Sequence, residues 1–213
     1  MNNTAYPIVL KIIPTTRLRY VLVAIVAAFG LSACASSGTT LNSDRIEHTF
    51  GSYGVDVLRR DPGRRVSSLY SSTGTNKTTR TYAVVEFAGE PRRAYSREHA
   101  LIEAGQSIGA TFRDAGWSVD KQHLYIGEFE VPETYTDIGE LMQIALPETL
   151  ATHVYFLTVS KDDRSFNYAT ITEIHHPVYL DAADLKEIYG EIIFDDSNRD
   201  SIHDFIGPPN SPK

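Results

Sequence analysis

Three groups of residues in this chain have types and spacings that could do chemistry. Gly105-Gln106-Ser107-Ile108-Gly109 matches the G-x-S-x-G pattern, in which a strained strand-to-helix turn lifts a serine hydroxyl clear of the backbone. Such a serine needs a histidine to take its proton and a carboxylate to orient that histidine. His153, His175 and His176 are the candidates for the base. The elbow also needs a strand before the serine, whereas Ser107 falls inside a helical stripe of apolar residues. Gly105 and Gly109 then read as small residues, four apart, that bring a helix close to a sheet.

The second group is His153, Glu173 and His175. Glu173 and His175 alternate onto one face of a predicted strand and His176 onto the other. In some hairpin registers His153 would lie opposite His175, and two nitrogens and a carboxylate would suit zinc. No H-x-x-x-H or H-x-H pair accompanies them, so neither a metal nor a cofactor is expected. The third group is Arg59, Arg60, Arg64 and Arg65, flanking the turn Asp61-Pro62-Gly63. Guanidinium groups pair bidentately with phosphate or carboxylate, which makes this tip a candidate partner contact. Tyr53, Tyr70, Tyr82, Tyr125, Tyr155 and Tyr168 fall at strand positions and suit either a core or a ligand groove.

The elements that must position these residues can be read from periodicity. Residues 46–58 read as one or two strands, and Asp61-Pro62-Gly63 as a turn from which 64–71 return. A polar loop over 71–79 precedes a strand at 81–87. The spacing of Leu101, Ala104, Ile108, Phe112 and Ala115 predicts one helix over 97–115, capped by Ser96 and stopped by Gly116. A strand is expected over 122–131. A short helix is expected over 137–146, with an Asp137…Glu140 capping box and Pro147 as its terminator. A hairpin is expected between 153–160 and 165–176, and a last helix over 182–189 between Asp181 and Gly190. Strands adjacent in sequence with few interspersed helices imply an α+β fold. The expected form is an antiparallel sheet of about five to seven strands with two or three helices packed on one face.

The first 33 residues carry Lys11, Arg17 and Arg19 and no acid, followed by an apolar run from Tyr20 to Gly30. That is the layout of an export signal. The apolar stretch is shorter than the roughly 18 residues a membrane-spanning helix needs. Leu31-Ser32-Ala33-Cys34 at its end resembles the lipobox of bacterial lipoproteins. The resemblance implies cleavage before Cys34, a diacylglyceryl group on its sulfur, and attachment to the membrane through that lipid. Ala35 stands where an aspartate would favour inner-membrane retention, so the resemblance favours an outer membrane, facing the periplasm. The expected organisation is a signal at 1–33, a lipidated tether at 34–43, one α+β domain at 44–194 and an acidic, proline-containing tail at 195–213.

Composition narrows the function classes. Cys34 is the single cysteine of the 213 residues, so no internal disulfide or multi-cysteine metal site exists. Loss of the signal removes three basic residues and no acid, taking the formal charge from -7 to -10. So acidic a chain is unsuited to nucleic acid, whose binding depends on neutralising phosphates. The expected role is a non-enzymatic envelope lipoprotein that works through a protein partner. The alternatives are a binding module for a small ligand or cell-wall fragment, and a hydrolase using Ser107 or a metal near His175.

Overall fold

The computed structural model describes residues 41–192. Cys34 and its lipobox, the export signal, most of the tether and the acidic tail lie outside the described residues. Six strands form one antiparallel sheet: β1 Gly54–Asp61, β2 Arg64–Thr73, β3 Asn76–Phe87, β4 Ser118–Val131, β5 Glu148–Lys161 and β6 Arg164–His175. Their order is β1-β2-β3-β6-β5-β4. Two three-stranded meanders therefore meet along one seam, where β3 pairs with β6 from Thr81↔His175 to Phe87↔Ala169. The fold is α+β, and the described residues hold five α-helices: α1 Asn42–Phe50, α2 Ser96–Glu103, α3 Ile108–Asp114, α4 Thr136–Met142 and α5 Ala182–Tyr189.

Turn chemistry sets the meanders. Gly63 closes the β1–β2 turn at φ +74°, and Asp162 opens the β5–β6 turn at φ +54°. The β2–β3 connection is tighter than the polar loop expected at 71–79. Both strands run on, leaving a two-residue turn in which Gly74 has φ +62°.

Strand alternation divides the core into two faces. Val66, Tyr82, Val84, Val154 and Ile174 face α4 and pack on Ile138 and Met142. The opposite face carries α2 and α3 over Val85, Tyr155, Leu157 and Ile171. It also carries α1 and α5 over Ile126 and Ala151. Helices thus cover both faces, rather than the single face expected.

Three local expectations change. Residues 42–50 form a helix instead of the expected tether to 43 and strand from 46, because Asn42, Ser43 and Ile46 are its buried positions and Gly51 ends it in the left-handed region. The tether consequently stops short of residue 43. The helix expected over 97–115 is two helices, broken at Gly105 with φ +109°. The apolar stripe stays in phase across the break, which concealed it. An L-residue in that conformation is strained, so Gly105→Ala is expected to lower unfolding free energy by about 1–2 kcal/mol in urea denaturation. Finally, α4 has Tyr135 rather than Asp137 at its N-cap and ends at Met142, with Gln143 left-handed. Asp137 instead accepts a hydrogen bond from the Tyr82 hydroxyl at 3.1 Å. At α5 the expected ends hold. Asp181 accepts from the Asp184 backbone N–H at 2.8 Å, and the Asp184 carboxylate accepts from the Asp181 N–H at 2.9 Å.

Candidate functional site

The middle of the face under α1 is polar. Glu173 on β6 is buried and pairs across the ladder with His153 on β5. Its Oε1 accepts from Asn42 Nδ2 at 3.1 Å, and Oε2 lies 3.8 Å from His153 Nδ1. The Tyr155 hydroxyl faces the same carboxylate. Asn42 is held in turn by the Tyr179 hydroxyl, which donates to its Oδ1 at 2.6 Å. The Thr81 hydroxyl accepts from Asn42 at 3.2 Å and is hydrogen-bonded to His175 Nδ1 at 3.0 Å. The other ring nitrogen of His175, Nε2, has no hydrogen-bond partner. His153 Nε2 meets Nδ1 of half-buried His123 at 2.8 Å, linking the buried carboxylate to the surface.

Electrostatics follow from burial. Desolvation pushes the His153 imidazolium down to about 4 and that of His175 down to about 3, so both rings are neutral at pH 7. Burial alone would raise Glu173. The Lys121 charge, the His153 side-chain interaction and His175 outweigh it and hold the carboxyl well below its ordinary value. Lys121 Nζ lies 4.1 Å from the centre of the Tyr155 ring, a cation–π contact.

Beside this cluster lies a cavity of about 60 Å³. Its floor on the sheet includes Ala83, Val85, Leu157 and Ile171, and its roof Leu41, Ser43, Tyr53 and Ile108. Arg65, Lys121, Tyr155 and Glu173 are its charged and polar walls. The Arg65 guanidinium is 3% exposed and donates through Nη1 to the carbonyls of Ile102 and Gln106, across the α2–α3 break. Its Nε has no partner within the protein, and neither does Glu173 Oε2 in hydrogen-bond geometry. The Tyr53 hydroxyl, beside Ser107, is also unpartnered in that geometry.

The residues singled out by sequence are thus redistributed. Arg65 is a buried wall of the cavity and not a surface contact, because it shares a face with Val85 and the helices cover it. Arg59 and Arg64 alternate onto the opposite face, Arg59 pairing with Asp61 at 3.0 Å, and Arg60 is exposed. Ser107 is not inside a helix. It is the extended N-cap residue of α3, its side chain makes no capping hydrogen bond, and no hydrogen bond joins it to a histidine among the described residues. The hairpin register sets His153 opposite Glu173 instead of His175. His176 lies on the other face as expected, donating from Nε2 to Met142 O at 3.0 Å and accepting the Val178 N–H on Nδ1 at 3.0 Å. Among the described residues no group of three or more histidines, cysteines and carboxylates could hold a metal ion. Tyr53 and Tyr155, two of the tyrosines singled out as core or groove residues, line the cavity, whereas Asn42, Lys121 and His123 joined the site without a sequence signal, since only tertiary packing brings them in.

Compared with known proteins, the chain matches no family model, no curated protein and no solved structure.

Proposed function

We propose that this chain is a lipid-anchored protein of the bacterial envelope whose folded domain binds a small polar molecule in the cavity beside Glu173. One observation carries the binding reading. Arg65 Nε, Tyr53 Oη and Glu173 Oε2, three polar atoms without a partner in hydrogen-bond geometry, belong to residues lining the same cavity. Buried polar groups are costly unless something satisfies them, and a shared cavity lets one occupant satisfy several at once. Binding fits better than hydrolysis because Ser107 has no base in contact with it.

Native mass spectrometry of the full chain tests the reading. A small adduct is expected on the folded protein, released on denaturation, and Ala83→Leu, which fills the cavity floor, is expected to abolish it. A folded chain that takes up no small molecule from an envelope extract would reject the reading.

The anchor rests on the lipobox resemblance. α1 begins eight residues after Cys34, so the domain would sit at most about 30 Å from the lipid. Cys34→Ala is expected to abolish fatty-acid labelling and to release the protein from membranes. Labelling that persists would remove the assignment. An outer-membrane, periplasm-facing position is part of the same proposal.

A second reading, a structural or accessory role through a protein partner, draws on the sheet edge. Strand β1 is an edge strand, and Leu58, Arg59, Tyr82, Asp137 and Leu141 line a groove of about 280 Å³ beside α4. Leu58 is 39% exposed there, an apolar group beside the arginine tip.

A further inference from the structure

Resting on the binding reading above, we infer that the cavity takes a small zwitterionic amino acid, with its carboxylate toward Arg65 and Tyr53 and its ammonium toward Glu173. Three features point to that class: size, the signs of the two ends, and their separation.

A volume of about 60 Å³ corresponds to about four to six water-sized positions at roughly 10–15 Å³ each. Glycine or alanine has that number of heavy atoms. Val85, Leu157 and Ile171 leave only van der Waals contact for the body of the molecule.

The two ends carry opposite charge. Arg65 is a buried cation, and no carboxylate lies within 4.0 Å of it among the described residues. The carbonyls of Ile102 and Gln106 satisfy Nη1, and Glu103 acts on the charge from a distance, but none of them gives Nε an acceptor. Tyr53 adds a hydroxyl donor at that end. A carboxylate is the acceptor a guanidinium edge matches best. At the other end Glu173 Oε2 lies 3.8 Å from His153 Nδ1 and has no partner in hydrogen-bond geometry, with the Tyr155 hydroxyl facing the carboxylate and the Lys121 charge acting on it. An ammonium suits an ionised carboxylate beside an aromatic face, the arrangement Lys121 already makes on Tyr155.

The ends are held apart by the sheet. Arg65 lies opposite Val85, Val85 opposite Ile171, and Glu173 two residues further along β6. Strand spacing and rise put the two Cα atoms roughly 12 Å apart. Arg65 is drawn toward the α2–α3 break and Glu173 toward Asn42, so the two do not pair directly and a molecule with both charges bridges them. A simple anion would meet Glu173 as a like charge, and a simple amine would meet both Arg65 and Lys121 as like charges with no carboxylate of its own to offset them.

Isothermal titration of the full chain in detergent micelles with glycine, L-alanine, D-alanine, acetate and methylammonium tests this. At least one of the amino acids is expected to bind tenfold or more tightly than acetate or methylammonium. Glu173→Gln is expected to remove the preference for the amino acid over acetate. Tyr53→Phe, a milder change at a half-buried position, is expected to weaken the amino acid several-fold, so the test stands even if Glu173→Gln does not fold. Acetate binding as tightly as alanine, or Tyr53→Phe and Glu173→Gln both leaving alanine affinity intact, would overturn the assignment. A parallel ligand-observed NMR screen with small polyols and inorganic anions separates the two levels. A hit there with no amino-acid binding refutes the zwitterion but keeps the binding module, and no hit in either refutes both.

Discussion

Between pH 6.5 and about 4 the folded domain is expected to lose roughly 3 kcal/mol of stability through His153 alone, since each pKa unit of depression is worth about 1.4 kcal/mol. The direction follows from proton counting. Burial pushes His153 down to about 4 in the fold, against 6.5 for a solvent-exposed histidine of the unfolded chain. The folded state therefore binds fewer protons than the unfolded state throughout that interval. Stability is fully present above pH 6.5 and falls as the pH drops through the window. His175, pushed down to about 3 by burial, extends the loss to lower pH. Glu173, whose carboxyl is held below its ordinary value, adds to it in the same direction below about pH 4.5. The groups facing these three are Lys121 and His123 on β4, Tyr155 on β5, Arg45 on α1, and Tyr179 and Tyr189 from the last segment. Urea midpoints measured from pH 8 to pH 3 check the prediction, and His153→Gln should flatten the first part of the curve. A midpoint that does not move between pH 6.5 and 4 would show that His153 charges freely inside the fold.

The second large effect concerns packing. Phe112 on α3 is fully buried, with ring centres of Tyr168 at 4.8 Å, Trp117 at 5.9 Å and Tyr95 at 6.1 Å. Phe112→Ala is expected to cost about 3–5 kcal/mol, the transfer term plus a cavity that rigid neighbouring rings cannot fill by relaxing. For a domain of this size that is a fall in Tm of roughly 6–20 °C. Near-ultraviolet circular dichroism followed through thermal unfolding reads it directly, because the same rings supply the signal. Phe166, half-buried at the margin of this cluster, should cost clearly less. A loss below about 1 kcal/mol at Phe112 would mean that α3 does not depend on this contact.

Much of the sheet was legible in the residues. Asp61-Pro62-Gly63 and the acidic turn after Lys161 announce hairpins through their backbone preferences, and alternation along β6 correctly put Glu173 and His175 on one face. Local signals failed where tertiary packing decided. Residues 42–50 hold Ile46 and Phe50 at helical spacing, but the alternation of Tyr53, Val55 and Val57 drew the strand reading upstream. Gly105 is invisible as a helix break because Leu101, Ala104, Ile108 and Phe112 keep one phase across it. The site was half visible. The histidines and Glu173 stand out by type, but their pairing depends on register, which the two-residue turn and a bulge between Leu157 and Thr158 set together. Arg65 looks like a surface charge in sequence, since nothing local tells that α2 and α3 will cover it. Asn42, taken as tether, became the hub of the hydrogen-bond network for the same reason.

The seam between the two meanders also orders events in time. Thr81 and His175 face each other across it although 94 positions separate them in the chain, and Asn42 and Glu173 are 131 apart. A chain emerging N-terminus first can fold β1 to β3 as a unit, yet its Asn42 has no carboxylate to hold until β6 arrives. Contacts this distant close slowly, because the entropy of the long loop is lost before any interaction repays it. The polar cluster is therefore expected to be completed late in folding, and a chain lacking β6 would present its sheet without the Glu173 carboxylate of its site.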